Sequence, residues 1–344
     1  SCNLFNASDH FFASPANIIS NGLDTFIFNF GSQIDYFKQI AFFFIMLPIK
    51  IGLQFSVSPY TWGFELTPSL VSGYFIFMGL LAIWLFIRGS KNLSIGIILF
   101  SIFFYFGLTN MPWLPLILIY GLIGYKIGGL SLALSIILGL SFITLTGVLP
   151  QALLSIYLCG IAVIVSFLIG SSLGIWAAHN DRVSAFMRPI NDTMQTMPSF
   201  VILIPFVMIF KIGEFTALLA IIAYAFVPAM RYTEHGLRNL PETVIEAAKM
   251  IGCSNSQLLW KVKIPLAFPV IMLGLNQTIM FGLAMLVIAA LVGTTGLGQL
   301  IYIGLSKANF GLGMIAGVSI AIIAILFDRV TQALKIKLEK NYNR

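Results

Sequence analysis

IGGLSLALSIILGLSFITLTGVLPQALLSIYLCGIAVIVSFLIGSSLGIWAAHN, residues 127–180, runs for 54 residues without one Asp, Glu, Lys or Arg. The hydrocarbon core of a bilayer is about 30 Å thick, and a helix crosses it in about 20 apolar residues. The stretch is too long for one crossing, and Gly147-Val148-Leu149-Pro150 divides it with a turn signal. It therefore predicts two spanning helices. The whole chain of 344 residues agrees, being 59% hydrophobic and only 9% charged, with a mean hydropathy of +0.98. A soluble domain carries roughly a quarter charged residues, and disorder needs low hydrophobicity. Both are excluded. The fold class is an all-α polytopic membrane protein.

Other uncharged runs extend the pattern. Ser69–Ile87 predicts one span. Asn92–Tyr125, broken at Asn110-Met111-Pro112-Trp113-Leu114-Pro115, predicts two. Thr193–Phe210 and Phe215–Met230 form a hairpin around Lys211 and Glu214. A helix from Pro269 to about Leu291 and a final span Ala308–Phe327 bring the expected total to about nine. The ten-residue apolar run Ile40–Ile49 contains Pro48 and lies between Lys38 and Lys50. That length suits an interfacial helix better than a spanning one, which would invert the expected side of the extreme N-terminus. Residues 1–35 are polar and aromatic, with no signal-peptide pattern, and a start at Ser rather than Met suggests a processed or truncated beginning.

Charge placement orients these spans. If the polar segment 231–263 is cytoplasmic, alternation places fifteen Lys and Arg residues inside and only Lys38, Lys50, Lys211 and Lys307 outside. Basic residues concentrate on the cytoplasmic side of membrane proteins, so the N-terminus is expected outside and the C-terminus inside. The excess of basic residues thus follows from topology and calls for no nucleic-acid partner. Cys2, Cys159 and Cys253 are too scattered for a metal or disulfide framework. Cys159 reads as a small core residue, Cys253 as a loop residue, and His179 and His235 as markers of the membrane boundary.

Segment 231–263 is the only sizeable charged stretch between two spans. Pro241-Glu242 opens a short helix with an acidic residue in its first turn, and Gly252 supplies its C-terminal break. A second helix, Ser254–Lys263, follows before Pro265. A surface helix pair of this kind is either a docking element or a solvated loop. The spacing Glu246-Ala247-Ala248, three residues, Gly252, nine residues, Val262, one residue, Ile264-Pro265 resembles the EAA pattern of ABC-importer permeases. Only Val for Ile and Ile for Leu depart from it. The resemblance implies that 244–256 holds the coupling helix that enters a groove of a cytoplasmic ATP-binding subunit. Small residues there could also serve packing within the chain.

A closer likeness runs from about Gln151 to Ala333. It is carried by Met194-Gln195-Thr196-Met197-Pro198-Ser199-Phe200, Ile264-Pro265-Leu266-Ala267-Phe268-Pro269, Gly274-Leu275-Asn276-Gln277-Thr278, Gly296-Leu297-Gly298-Gln299 and Asp328-Arg329-Val330-Thr331-Gln332-Ala333. These segments resemble the glycine betaine/proline betaine uptake permeases of the ProW type. The likeness implies a type I ABC-importer transmembrane domain in a bacterial inner membrane, a homodimer, and a separate ATP-binding subunit that uses the ATP. It also implies an external solute-binding protein and a betaine-like solute such as glycine betaine, proline betaine or choline. The expected organisation is an external segment 1–68 with the interfacial helix, then N-terminal helices 69–150, of which 69–108 look additional to the family plan. A permease core follows at 151–333 with its coupling loop at 231–265, then a basic tail at 334–344.

Within the spans, Met194, Gln195 and Pro198 are candidates for the translocation path, because a broken helix at membrane depth is tolerated where it lines a cavity. Asn276, Gln277 and Thr278 either line that path or hydrogen-bond between helices. The stripe Ser166, Gly170, Gly174, Ala177 and Ala178 lets helices approach closely, within the chain rather than at a dimer seam. Three glycines in 293–299 suit a loop facing a binding protein. The chain has no Gly-x-x-x-x-Gly-Lys-Ser/Thr loop, so ATP hydrolysis, and with it any nucleotide cofactor, is expected on a partner. It ends 17 residues after the last predicted span, so no fused binding domain is expected. Two alternatives stay open: a permease for another small solute such as an amino acid, and an ion-coupled secondary transporter. The latter normally carries buried ionisable residues in its spans, which are scarce here. An enzyme lacks a clustered nucleophile, base or metal-ligand set.

Overall fold

The computed structural model describes residues 4–55, 68–87, 95, 97–98, 101 and 113–342. Among the described residues every regular element is a helix. In chain order these are α1 (Leu4–Ala41), α2 (Leu47–Phe55), α3 (Pro68–Ile87), α4 (Trp113–Leu145), α5 (Leu149–His179), α6 (Asp181–Thr196) and α7 (Ser199–Phe210). They continue as α8 (Glu214–Arg238), α9 (Glu242–Met250), the short α10 (Asn255–Gln257), α11 (Ile264–Ala289), α12 (Leu297–Ser306) and α13 (Phe310–Tyr342). Two π-helical turns, Phe42–Met46 and Leu258–Lys263, join α1 to α2 and α10 to α11. Each ends two residues before a proline, Pro48 or Pro265. Proline lacks the N–H and crowds the preceding turn, and a widened turn just ahead of it lets the helix run on.

The expected count of nine spans is not confirmed. Six helices among the described residues are long and apolar enough to cross a membrane: Asn21–Leu53, Leu116–Leu145, Leu149–His179, Glu214–Arg238, Asn255–Val292 and Phe310–Lys337. The bent pair α6–α7 makes a seventh if taken as one span. The run Ile40–Ile49 is not a separate ten-residue helix but part of the 33-residue Asn21–Leu53, because the π turn absorbs Pro48. Thr193–Phe210 is not one helix either: α6 and α7 meet at 104°. Pro198 caps α7 with non-helical dihedrals, since the residue at the bend cannot donate into the preceding turn. Ser69–Ile87 corresponds to α3, whereas most of the expected span near 92–108 lies outside the described residues. α8, α11 and α13 all extend beyond their predicted ends, so Arg231–Arg238 is helix rather than loop.

The chain forms two compact units, Ser1–Pro48 with Ser155–Met314, and Ile49–Leu154 with Ile315–Arg344. In the second, α4 folds back on itself. Gly129 sits at φ 75°, ψ −164°, a conformation reached essentially only by glycine. A Cβ on Gly121 would lie 2.9 Å from Ile137 Cγ1, although a straight helix would hold these residues about 24 Å apart. The two arms around Lys126 are therefore the separate helices that its charge predicted. α13 packs against the second arm, where a Cβ on Gly139 would meet Ile322 at 2.8 Å. Lys337 Nζ donates to Lys126 O at 3.0 Å.

In the first unit, α8 is the central helix and pairs most extensively with α11. Its Ala217, Ala220, Ile221, Ala225, Val227, Ala229 and Met230 are fully buried. Lipid is as apolar as these side chains, so close packing rather than water exclusion holds such helices together. The small-residue stripe of α5 is the other half of this packing. A Cβ on Gly170 would stand 2.5 Å from Phe226 O, and one on Gly174 2.6 Å from Met230 O. Ser166 Oγ donates to Ile222 O at 3.3 Å. The stripe is an intrachain seam.

Candidate functional site

α9 stands between the ends of α8 and α11. Pro241 is its N-cap and Glu242 lies in its first turn, a favourable placement against the helix dipole. At the other end Cys253 N donates to Ala248 O at 3.2 Å and Gly252 N to Lys249 O at 2.9 Å. These paired bonds close the helix only if the residue between them is left-handed, and Gly252 has φ 86°. Ser254 then caps the next helix reciprocally with Gln257, at 3.3 and 3.0 Å, as a capping box does.

The mount, formed by the paired stems that carry α9, is apolar and packed. Leu237 of α8 and Ala267 and Ile271 of α11 form a buried cluster, with Leu240, Ile264 and, from α5, Phe167, Ile175 and Ala178 against it. Both stems of the segment are thereby held together. Ala248 is buried at 8% exposure, whereas Glu246, Ala247 and Gly252 are exposed. Val262, Ile264 and Pro265 are half-buried on the return stem. Beyond the motif, Met250 and Ile251 are 90% and 83% exposed at the tip. Sequence reading passed over them, although two apolar residues just ahead of a helix-stopping glycine were the available signal.

The path candidates fall in two places. Met194 and Gln195 are half-buried near the end of α6, and Pro198 is exposed at the 104° bend. Asn276 and Gln277 are half-buried in the middle of α11. Thr278 is buried and donates to Gly274 O of its own helix at 2.9 Å, so it satisfies itself without an interhelical bond. Cys159 is buried and Cys253 half-buried in the turn after α9. His179 is exposed, with Nδ1 2.8 Å from Ile175 O.

Two polar clusters were invisible in the sequence. Glu214 accepts from Tyr157 OH at 3.1 Å and from Thr295 Oγ1 at 2.8 Å. Beside it the buried Leu297 N–H donates to Ser155 Oγ at 2.8 Å. Together they pin the loop at 293–296 to α5 and α8. The second cluster surrounds an open cleft of about 380 Å³ lined by Arg188, Asp192, Arg231, Glu234 and Arg238. There Arg231 pairs with Asp192, and Arg238 pairs with Asp181 at 2.8 Å and Glu234 at 3.1 Å.

These residues define a membrane-type helical protein in which a short, exposed helix lies between two helices long enough to cross a bilayer. Residues 170–340 match the family described as binding-protein-dependent transport system inner membrane component. The glycine betaine/proline betaine permease ProW of Escherichia coli is 39% identical over 226 residues, covering 66% of this chain and 64% of that protein. The glycine betaine permease OpuAB of Bacillus subtilis is 37% identical over 237 residues, covering 69% of this chain and 84% of that one. The chain belongs to this family of inner-membrane permease components. It spans somewhat under two thirds of the Escherichia coli relative's length. A solved structure of the inward-facing MetNI methionine ABC transporter covers 54% of this chain and 93% of that one, with 21% identity and a TM-score of 0.47.

Proposed function

We propose that this chain is the membrane-spanning permease subunit of an ATP-driven importer for betaine-like compatible solutes, in the class of glycine betaine, proline betaine and choline. The observation that carries the reading is α9, exposed at Glu246, Ala247, Met250 and Ile251 on a mount that joins α8 to α11. A force applied at this tip reaches two membrane helices at once. The family's description supports the permease role, and the names of the glycine betaine and proline betaine transport relatives support the substrate class. In this reading the chain works as a homodimer in a bacterial inner membrane, with its C-terminus in the cytoplasm. Two ATP-binding subunits receive the α9 helices and hydrolyse the ATP, while this chain catalyses no reaction and binds no cofactor. A solute-binding protein delivers solute at the outer face. The solute passes near Met194, Gln195, Pro198, Asn276, Gln277 and Thr278.

Quaternary ammonium ions are typically held by aromatic cages through cation–π attraction, and the family resemblance implies that such a cage, and with it primary selectivity, lies in the binding protein rather than among these path residues. The test is purification from detergent-solubilised membranes with mass spectrometry of the co-purifying chains. An ATP-binding subunit should accompany the wild type and be lost on Glu246→Lys. A chain that emerges alone and transports without ATP would refute the reading.

A further inference from the structure

The cluster at the end of α8 has a geometry that docking alone does not require. Arg238 is the last residue of α8 and stands just ahead of Pro241, the N-cap of the docking helix. Its guanidinium makes three contacts on three helices. Nη2 donates to Ala177 O in the last turn of α5 at 2.6 Å, Nη1 to Asp181 Oδ1 at the start of α6 at 2.8 Å, and Nε lies 3.1 Å from Glu234 Oε1 on α8. Ser184 of α6 closes the ring by donating to the same Glu234 oxygen at 2.5 Å. Further along, Arg231 pairs with Asp192 and Asn191 Nδ2 donates to Met230 Sδ at 3.4 Å. α6 is therefore strapped to α8 at both ends, and its far end is the 104° bend into α7.

We infer that Arg238 is the positioning residue that transmits movement of the docking helix to α6 and thence to the Pro198 bend. Surface ion pairs add little stability one by one, and Asp181 is 91% exposed. The value of the arrangement is geometric. A rigid guanidinium fork holds several acceptors in fixed directions, which a lysine ammonium cannot do. α9, its mount and α6 then move as one body. The inference rests on the permease reading.

The experiment uses the complete transporter in proteoliposomes, this chain with its ATP-binding subunit and binding protein, with glycine betaine uptake and ATP hydrolysis followed together. Arg238→Met should keep the ATP-binding subunit bound and ATP hydrolysis near the wild-type rate, while uptake per ATP falls about five-fold or more, the range of a typical coupling energy. Arg238→Lys should not restore the ratio. Glu234→Gln, nearly isosteric, should lower it in the same direction, and the double variant should be no worse than Arg238→Met alone, as for members of one network. An unchanged ratio, or a proportional loss of uptake and hydrolysis, overturns the inference; if Arg238→Met does not assemble, Glu234→Gln decides alone. A wild-type complex that hydrolyses no ATP or imports nothing overturns the permease reading instead.

Discussion

Ile251 offers the sharpest test of the docking surface. It is 83% exposed and Met250 beside it is 90% exposed, so neither contributes appreciable packing within the chain. A partner groove that buries Ile251 withdraws the whole side chain from water. Truncation to Ala removes three carbons, and at about 0.8 kcal/mol per buried methylene the loss is about 2 kcal/mol. That corresponds to roughly thirty-fold in the dissociation constant for the ATP-binding subunit. The thermal midpoint of the isolated chain should not move, because the side chain is already solvated. Titration of labelled ATP-binding subunit onto Ile251→Ala in nanodiscs measures the constant, with Phe310→Ala as the control, another 83% exposed residue remote in sequence from α9. A constant within two-fold of the wild type would mean that the tip stays in solvent, and the orientation assigned to α9 would be wrong.

Other outcomes follow from the packing. Gly174→Leu must displace Met230 O, which lies 2.6 Å from the position its Cβ would take; backbone cannot yield as a side chain does, so a loss of about 1–3 kcal/mol is expected, read as a lower midpoint of thermal unfolding in detergent. Gly252→Ala places a Cβ at φ 86°, at a cost of about 1–2 kcal/mol; hydrogen exchange should quicken over 248–253, and unchanged protection would contradict the assigned turn. Ser155→Ala leaves the buried Leu297 N–H without its acceptor and should destabilise by about 1–3 kcal/mol, whereas Ser172→Ala, at an exposed position bonded to its own helix, should be silent.

Much of the membrane organisation was legible because it depends on one-dimensional quantities. The uncharged run at 127–180 places two helices from bilayer thickness and turn chemistry alone, and α4 and α5 follow it. The docking segment was legible for a related reason: Pro241, Gly252 and Ser254 act within a few residues of themselves, so their caps can be read in order. The count of nine spans is not confirmed, and individual boundaries moved where the backbone had freedom that composition does not record. The π turn before Pro48 let an apolar run of ten residues join a helix of 33, and the bend at Pro198 divided what hydropathy treated as one crossing.

By itself, then, the sequence determined the class of protein, the position of the exposed helix α9 and the small-residue face of α5, since hydrophobicity, capping and residue volume are properties of the chain. Tertiary structure alone decided what each of these meets. Gly170 and Gly174 could have faced another chain, and the fold turns them onto the carbonyls of α8. Ala247 and Ala248 are equivalent in the motif, yet one is exposed and the other buried. Arg238 lies 57 residues from Asp181 and 61 from Ala177, and no local rule joins them. A charged side chain at a membrane boundary takes the partners that folding brings within reach, and those are set by how the helices cross.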